Sequence, residues 1–200
     1  MNGFVLAGGR SSRMGRDKAL LAYAGRLLIE HAVTILTKAG LTPHILGSRP
    51  DLASYAPVIE DMHPGCGPLG GLEAALTSSE TEVNVFLPVD LPLLPPAFLR
   101  YLLERAAITG AVATVPTLGG RPEPLCAVYR RDLLPGIADA LKSGEYKVMR
   151  AIENAAGASH AGMDGFSVEA VMAARDDWTT GRPHRWFQNM NTPADMALIS

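Results

Sequence analysis

The sequence predicts an α/β fold: a single domain in which a mostly parallel sheet carries helices on both faces. Three observations lead there. Short apolar runs alternate with amphipathic stretches along the chain, as they do where each strand is followed by a crossover helix. The first such run, Phe4–Ala7, feeds directly into the glycine-rich, cationic stretch GGRSSRMGRDK, residues 8–18. The strongest strand signal, Val83–Leu87, ends in Pro-Val-Asp-Leu-Pro, which fixes a carboxylate just past a buried strand.

Length and composition agree with this class. The chain has 200 residues, 48% apolar and 19% charged, enough for one globular core without disulfide staples. A formal net charge of -2 argues against a general nucleic-acid or membrane-surface binder, so the basic cluster in the first loop is local. Cys66 and Cys126 lack metal-ligand or framework spacing and read as free thiols in a reducing compartment. No apolar stretch approaches the ~18 residues of a membrane span, and the N-terminal run is too short for a signal peptide. The expected location is the cytoplasm.

Taken in order, Phe4–Ala7 is the first buried strand. The loop after it holds Gly8, Gly9, Ser11, Ser12 and Gly15 with Arg10, Arg13, Arg16, Lys18 and Asp17. Exposed backbone amides at a strand's carboxyl end form an anion cradle, and the cations add long-range attraction. The loop matches neither a Walker A motif nor a dinucleotide fingerprint. Ala19–Tyr23 is an apolar connector broken at Gly25. Leu27, Leu28, His31, Ala32, Ile35 and Leu36 recur at helical spacing until Gly40, with His31 a structural residue.

Pro43–Leu46 is a second strand ending at Gly47-Ser48-Arg49, and Pro57–Glu60 a third, with Asp61 at its end. His63 reads as an exposed loop histidine. Pro64–Gly71, with four glycines and two prolines, reads as a shaped loop, and Leu69–Leu76 as the start of a helix. Beyond Val83–Leu87, Asp90 suits a hard cation such as Mg2+ bound together with substrate phosphates. It equally suits a turn or a helix cap, and the phosphate-type loop in the same chain favours the metal.

Pro95–Ala107 is a helix, Ala111–Val115 a strand, residues 119–124 a loop, and Leu125–Tyr129 another strand. Leu133–Leu141 and Tyr146–Ile152 are helical. Residues 155–183 carry little pattern beyond a short helix at Val168–Ala174 and a solvated pair, Asp176 and Asp177. Trp178 and Trp186 are expected to cover a sheet edge, and Arg185–Phe187 reads as a late strand. A helix capped by Thr192 then starts near Pro193.

The motifs LAGGRSSRMGRDKALL, GPLGG, PVDLP and NMNTPADM, in this order from Gly3 to Met196, resemble the molybdenum cofactor guanylyltransferase family of nucleotidyltransferases. The resemblance implies a Rossmann-like three-layer fold of the nucleotide-diphospho-sugar transferase type. It further implies transfer of GMP from GTP to molybdenum-molybdopterin, with release of pyrophosphate. Carried over by position, the backbones of Leu6, Ala7, Gly8 and Gly9 would meet the nucleotide, Lys18 would neutralise the triphosphate, and Asp61 would help hold the nucleoside. Gly67 and Pro68 would form the opposite wall, and Asp90 would carry Mg2+. Ser48 stands where relatives often place a nucleotide-binding Asn.

Arg13, Lys18 and Asp90 are the expected catalytic groups, because transfer of this type rests on positioning and charge stabilisation. Arg121, Asn189 and Asn191 are candidates for the acceptor side. Residues 1–100 form the expected nucleotide half and 101–200 the acceptor half. Protein partners in cofactor delivery are compatible with this role, and nucleic acid and membrane are not expected partners. Three other readings stay open: a cytidylyltransferase for the same pterin, a sugar-phosphate nucleotidyltransferase, and a non-catalytic nucleotide-binding regulator.

Overall fold

The computed structural model describes residues 1–8, 17–174 and 183–190. β1 (Asn2–Leu6) lies at the centre of the sheet. A 3-10 turn at Lys18–Leu20 leads into a small hairpin, β2 (Ala22–Tyr23) and β3 (Arg26–Leu27), and then α1 (Leu28–Lys38). The hairpin replaces the expected connector. His31 Nε2 meets the Tyr23 carbonyl oxygen at 2.9 Å, tying the hairpin to α1.

β4 (Thr42–Leu46) and β5 (Val58–Ile59) follow, then α2 (Gly67–Ser78) and β6 (Val83–Pro88). α3 (Pro96–Thr109) leads to β7 (Ala113–Leu118), β8 (Arg121–Pro122) and β9 (Ala127–Arg130). α4 (Leu134–Lys142), α5 (Val148–Gly157), β10 (Met163–Ser167), α6 (Val168–Ala173) and α7 (Pro183–Trp186) complete the described chain.

Among the described residues the main sheet has the order β10-β7-β9-β6-β1-β4-β5, with β8 paired to β7. β1 runs parallel to both β4 and β6, β4 parallel to β5, and β7 parallel to β10. β9 runs antiparallel to β6 and β7, and β8 antiparallel to β7. The sheet is therefore mixed and mostly parallel. The chain leaves β1 on one side to make β4 and β5, then returns to the other side with β6. That reversal puts a crevice at the carboxyl end of β1, where open α/β sheets bind ligands.

Alternation along each strand divides the core between two faces. Val5, Ile45, Val85, Leu87 and Val128 face α1 and α3. Phe4, Leu46, Phe86, Ala127 and Tyr129 face α2, α4 and α5. Phe4 and Phe86 occupy paired positions with ring centroids 5.2 Å apart, and Tyr129 continues the row 5.4 Å from Phe86. Burial on both faces pins the register, because a one-residue slip would exchange the two sets.

Four local expectations are corrected. Helix α2 begins at Gly67, so Gly67–Gly71 belong to its first turns rather than to a loop. Leu69, Gly70 and Gly71 are buried there, because glycine lets the helix lie close against the strand ends. Arg121–Pro122, expected as loop, pairs with β7. Arg185–Phe187 is not a strand: Pro183 opens a helical turn that places Trp186 and Phe187 against Phe98 of α3, with centroids 5.8 and 5.5 Å away. Trp186 thus covers α3 and not a sheet edge. β10 was not expected, since Met-Asp-Gly-Phe-Ser has weak strand propensity. Tertiary contacts hold it. Asp164 accepts two bonds from Arg105, at 2.6 and 2.8 Å, and the Arg105 guanidinium lies over the Phe166 ring. Asp176, Asp177, Trp178 and the helix expected from Pro193 lie outside the described residues.

The strand ends approach through glycine. Gly47 has φ of 115°, and a Cβ built on it would stand 3.0 Å from the Gly8 Cα. Gly47→Ala therefore meets both backbone strain and a backbone clash. The expected cost is about 1–3 kcal/mol, seen as a lower urea midpoint at unchanged m value.

Candidate active site

The carboxyl ends of β4, β1 and β6 lie side by side and deliver the residues singled out in the sequence. Leu6 ends β1, and Ala7 and Gly8 follow it. The Leu6 carbonyl accepts from Val89 N–H at 3.3 Å, and the Ala7 carbonyl from Arg49 Nη1 at 3.3 Å.

Lys18 stands in the 3-10 turn, which Asp17 caps by accepting the Ala19 N–H at 3.0 Å. Lys18 Nζ donates to Asp90 Oδ2 at 2.7 Å. The two residues are 72 positions apart, and the sheet brings them together. Asp90 is buried, and Lys18 is about a third exposed. An ammonium has three donors, so Lys18 can hold Asp90 and still present hydrogens to a phosphate. Among the described residues, Asp90 Oδ1 has no protein partner. The Asp90 carbonyl accepts from Met190 N–H at 3.0 Å, which anchors the segment carrying Asn189 beside it.

Asp61 is half-buried beyond β5, and a Cβ on Gly71 would stand 3.7 Å from its Oδ1. The N-terminus of α2, with exposed Gly67 and Pro68, therefore opens next to it. Burial pushes the Asp61 carboxyl above its usual range. Ser48 is exposed two residues past β4. Arg121 is exposed on β8. Gly9, Arg13 and Asn191 lie outside the described residues. His63 is exposed, as expected, but has a partner: its Nδ1 lies 2.8 Å from Glu73 Oε2, which fastens the loop after Asp61 to α2.

Two polar residues join the site without having been singled out. Glu123 is half-buried, and burial together with the Asp90 charge pushes its carboxyl upward. Glu123 lies in the turn between β8 and β9, and the influence of the Asp90 charge on it shows that the two carboxylates stand near each other. The Glu123 backbone is fixed, N–H to the Pro116 carbonyl at 2.9 Å and carbonyl to Cys126 N–H at 3.0 Å. The Pro-Glu-Pro context was the available signal, but the antiparallel direction of β9 was not visible. Arg49 is the second. Its guanidinium reaches Asp17, Asp51 and the Ala7 carbonyl. These bonds, Asp51 first, raise its already high pKa further.

A family model described as the MobA-like NTP transferase domain matches residues 3–159. The chain belongs to this family. The transferase is 48% identical over 104 residues to a molybdenum cofactor guanylyltransferase of Xanthomonas euvesicatoria, a stretch covering 50% of this chain and 52% of that one. It is 35% identical over 202 residues to a probable molybdenum cofactor guanylyltransferase of Deinococcus radiodurans, covering 98% and 92%. A crystal structure of molybdopterin-guanine dinucleotide biosynthesis protein A from Archaeoglobus fulgidus superposes with a TM-score of 0.79 at 25% identity, covering 99% and 96%. An NTP transferase is an enzyme, and its fold is that of the nucleotide-diphospho-sugar transferases. No helix among the described residues is long and apolar enough to cross a membrane.

Asp61, half-buried and without a partner among the described residues, gives a stability test. Its raised carboxyl contributes stability in full below the usual carboxylate value, about 3.9, and loses it as pH rises through the raised value. Asp61→Asn is therefore expected to raise the melting temperature of the ligand-free transferase at pH 7. The gain should shrink as pH falls toward about 4, measured by scanning calorimetry across pH.

Proposed function

We propose that the transferase moves GMP from GTP to molybdenum-molybdopterin, releasing pyrophosphate and forming the guanine dinucleotide cofactor. The observation that carries this reading is the Lys18–Asp90 pair, set at the carboxyl edge between the β1 turn and β6 in a chain of the MobA-like family. The names of its relatives supply the two substrates. In this reading residues 1–100 bind nucleotide and 101–200 receive the acceptor. The protein works in the cytoplasm, with partner proteins that deliver the pterin and collect the product.

The amides after Leu6 and the free donors of Lys18 face the triphosphate. The open N-terminus of α2, at Gly67 and Pro68, adds its positive dipole to the same edge. Asp61 accepts hydrogen bonds from the nucleoside, and Ser48 lies beside it in place of the expected Asn. Arg13, from the cationic stretch of the sequence, adds a further charge to the phosphates in this reading.

The donor set fits a divalent ion. Asp90 offers a hard carboxylate oxygen, and among the described residues no group of three ligating side chains is present, so the triphosphate would complete the coordination. Bound there, Mg2+ would neutralise phosphate charge as the bond to pyrophosphate breaks. The acceptor's phosphate oxygen attacks the α-phosphorus, the bond to the β-phosphate oxygen opens, and pyrophosphate leaves with the electron pair. The attacking oxygen is already anionic, so no general base is required. Lys18 stabilises charge that grows on the leaving group. In this reading Arg121, Asn189 and Glu123, with Asn191 of the following sequence, serve the acceptor.

Pyrophosphate release in the presence of molybdenum-molybdopterin, measured with GTP, CTP and ATP, each with and without Mg2+, tests the reading. Turnover is expected only where GTP, Mg2+ and the pterin acceptor are all present, and turnover with CTP in place of GTP would overturn it. GTP at 100 times its dissociation constant should add about 2.7 kcal/mol of stability in a thermal shift. Asp90→Asn is expected to cut turnover by at least ~10²-fold while GTP still binds, and Lys18→Ala to lower kcat/KM by about 10²–10³-fold.

A further inference from the structure

Arg49 sits within a nucleotide site yet has nothing left to give a phosphate. A guanidinium carries five N–H donors. In this structure each has a protein acceptor. Nε donates to Asp51 Oδ1 at 2.9 Å. Nη1 donates to the Ala7 carbonyl at 3.3 Å and to Asp17 Oδ1 at 3.1 Å. Nη2 donates to Asp17 Oδ2 at 2.5 Å and to Asp51 Oδ2 at 2.6 Å. Its single positive charge is outweighed by two carboxylates, so the cluster does not attract an anion. A cation beside a triphosphate site would ordinarily be assigned to phosphate binding, and the bonding of this one excludes that role.

What Arg49 does join is informative. Ala7 is the residue at which β1 gives way to the turn, and Asp17 is the cap of the 3-10 turn that carries Lys18. Lys18 in turn holds Asp90. Arg49 itself follows Gly47 of the β4 end, and its own N–H donates to the Gly47 carbonyl at 2.8 Å. Gly47 rests on Gly8 with no side chain between them. One side chain from the β4 end thus ties the β1 end to the turn bearing the catalytic lysine. The Arg49 side chain is 17% exposed, while the Asp17 and Asp51 carboxylates it bonds stay open to water on their outer sides.

We propose that Arg49 is a positioning residue for nucleotidyl transfer. It sets the distance between the backbone turn after Leu6 and the Lys18–Asp90 pair, so that both ends of one triphosphate are gripped together. Displacement of a substrate-positioning group by about 1 Å commonly costs about 10²-fold in rate. Lysine cannot substitute, because a single ammonium does not reproduce a fork that bonds two carboxylates and a carbonyl at once.

The inference rests on the nucleotidyltransfer reading, and the test separates the two. The wild-type protein is assayed first for Mg2+- and GTP-dependent pyrophosphate release with molybdenum-molybdopterin as acceptor; an inactive wild type under every nucleotide overturns that reading and this inference with it. With an active wild type, Arg49→Ala, Arg49→Lys, Asp17→Asn and the Arg49→Ala/Asp17→Asn double variant are compared. Each is assayed at least about 15 °C below its own melting temperature, so that unfolding does not enter. Arg49→Ala and Arg49→Lys are both expected to lose about 30–100-fold in kcat/KM, with KM for GTP raised and kcat lowered together. The double variant is expected to fall no further than Arg49→Ala, because the two residues act as one unit. Kinetic constants within about threefold of wild type in the folded Arg49 variants would overturn the proposal. So would losses from Arg49→Ala and Asp17→Asn that multiply in the double variant, or a lower melting temperature as the sole effect.

Discussion

β1 hydrogen-bonds to β4 on one side and to β6 on the other, with all three strands running the same way. Parallel pairing sets three carboxyl ends on one edge, and everything chemical in the described chain collects there. The pairing is enforced from both faces of the sheet. Phe4 and Val5 point in opposite directions, and each is fully buried among different helices. A slip of one residue would drive each into the other core, whose shape it does not fit, at roughly 1–3 kcal/mol for each badly packed site. The same alternation holds along β4 and β6. Hydrophobic burial thus places the strand ends that carry Gly8, Gly47 and Asp90, while the placement of Lys18 against them is left to bonds within the site.

Two cations at this edge do opposite work. Among the described residues the Lys18 ammonium makes one bond, to Asp90, and retains donors. Arg49 makes five and retains none. The distinction follows from side-chain chemistry. The ammonium is a compact charge able to exchange partners, whereas the planar guanidinium locks several acceptors in fixed directions. Asp61 shows the complementary case, a half-buried carboxylate with no partner among the described residues, held above its usual pKa by burial.

The second half of the chain adds a wall to the same edge by other means. β9 returns antiparallel between β6 and β7, which brings Glu123 back toward Asp90. The β7–β8 turn is fixed from outside the sheet: Glu169 accepts the Gly119 N–H at 2.6 Å and the Ser167 hydroxyl at 2.7 Å. Those bonds hold the Glu169 carboxyl below its usual range. Arg105, bridging α3 to Asp164 of β10, secures the strand from which α6 departs. The tract after residue 155, which carries little sequence pattern, is thus what steadies the turn bearing Arg121.

The sequence by itself determined the alternation of strands and helices, the glycine-rich turn after the first strand, and the carboxylate past β6. These are local statements, written in hydrophobic period, glycine and proline, and they need no knowledge of what lies across the sheet. Only the tertiary structure decided that Lys18 meets Asp90, that β9 runs antiparallel and brings Glu123 to the site, and that Arg49 is saturated by Ala7, Asp17 and Asp51. It also decided against a strand at Arg185–Phe187, where burial of Trp186 and Phe187 on Phe98 favoured a helical turn. The reason is common to all four. Strand direction, ion-pair choice and the burial of a terminal segment are settled by residues far away in the chain, and spacing along a sequence carries no record of them.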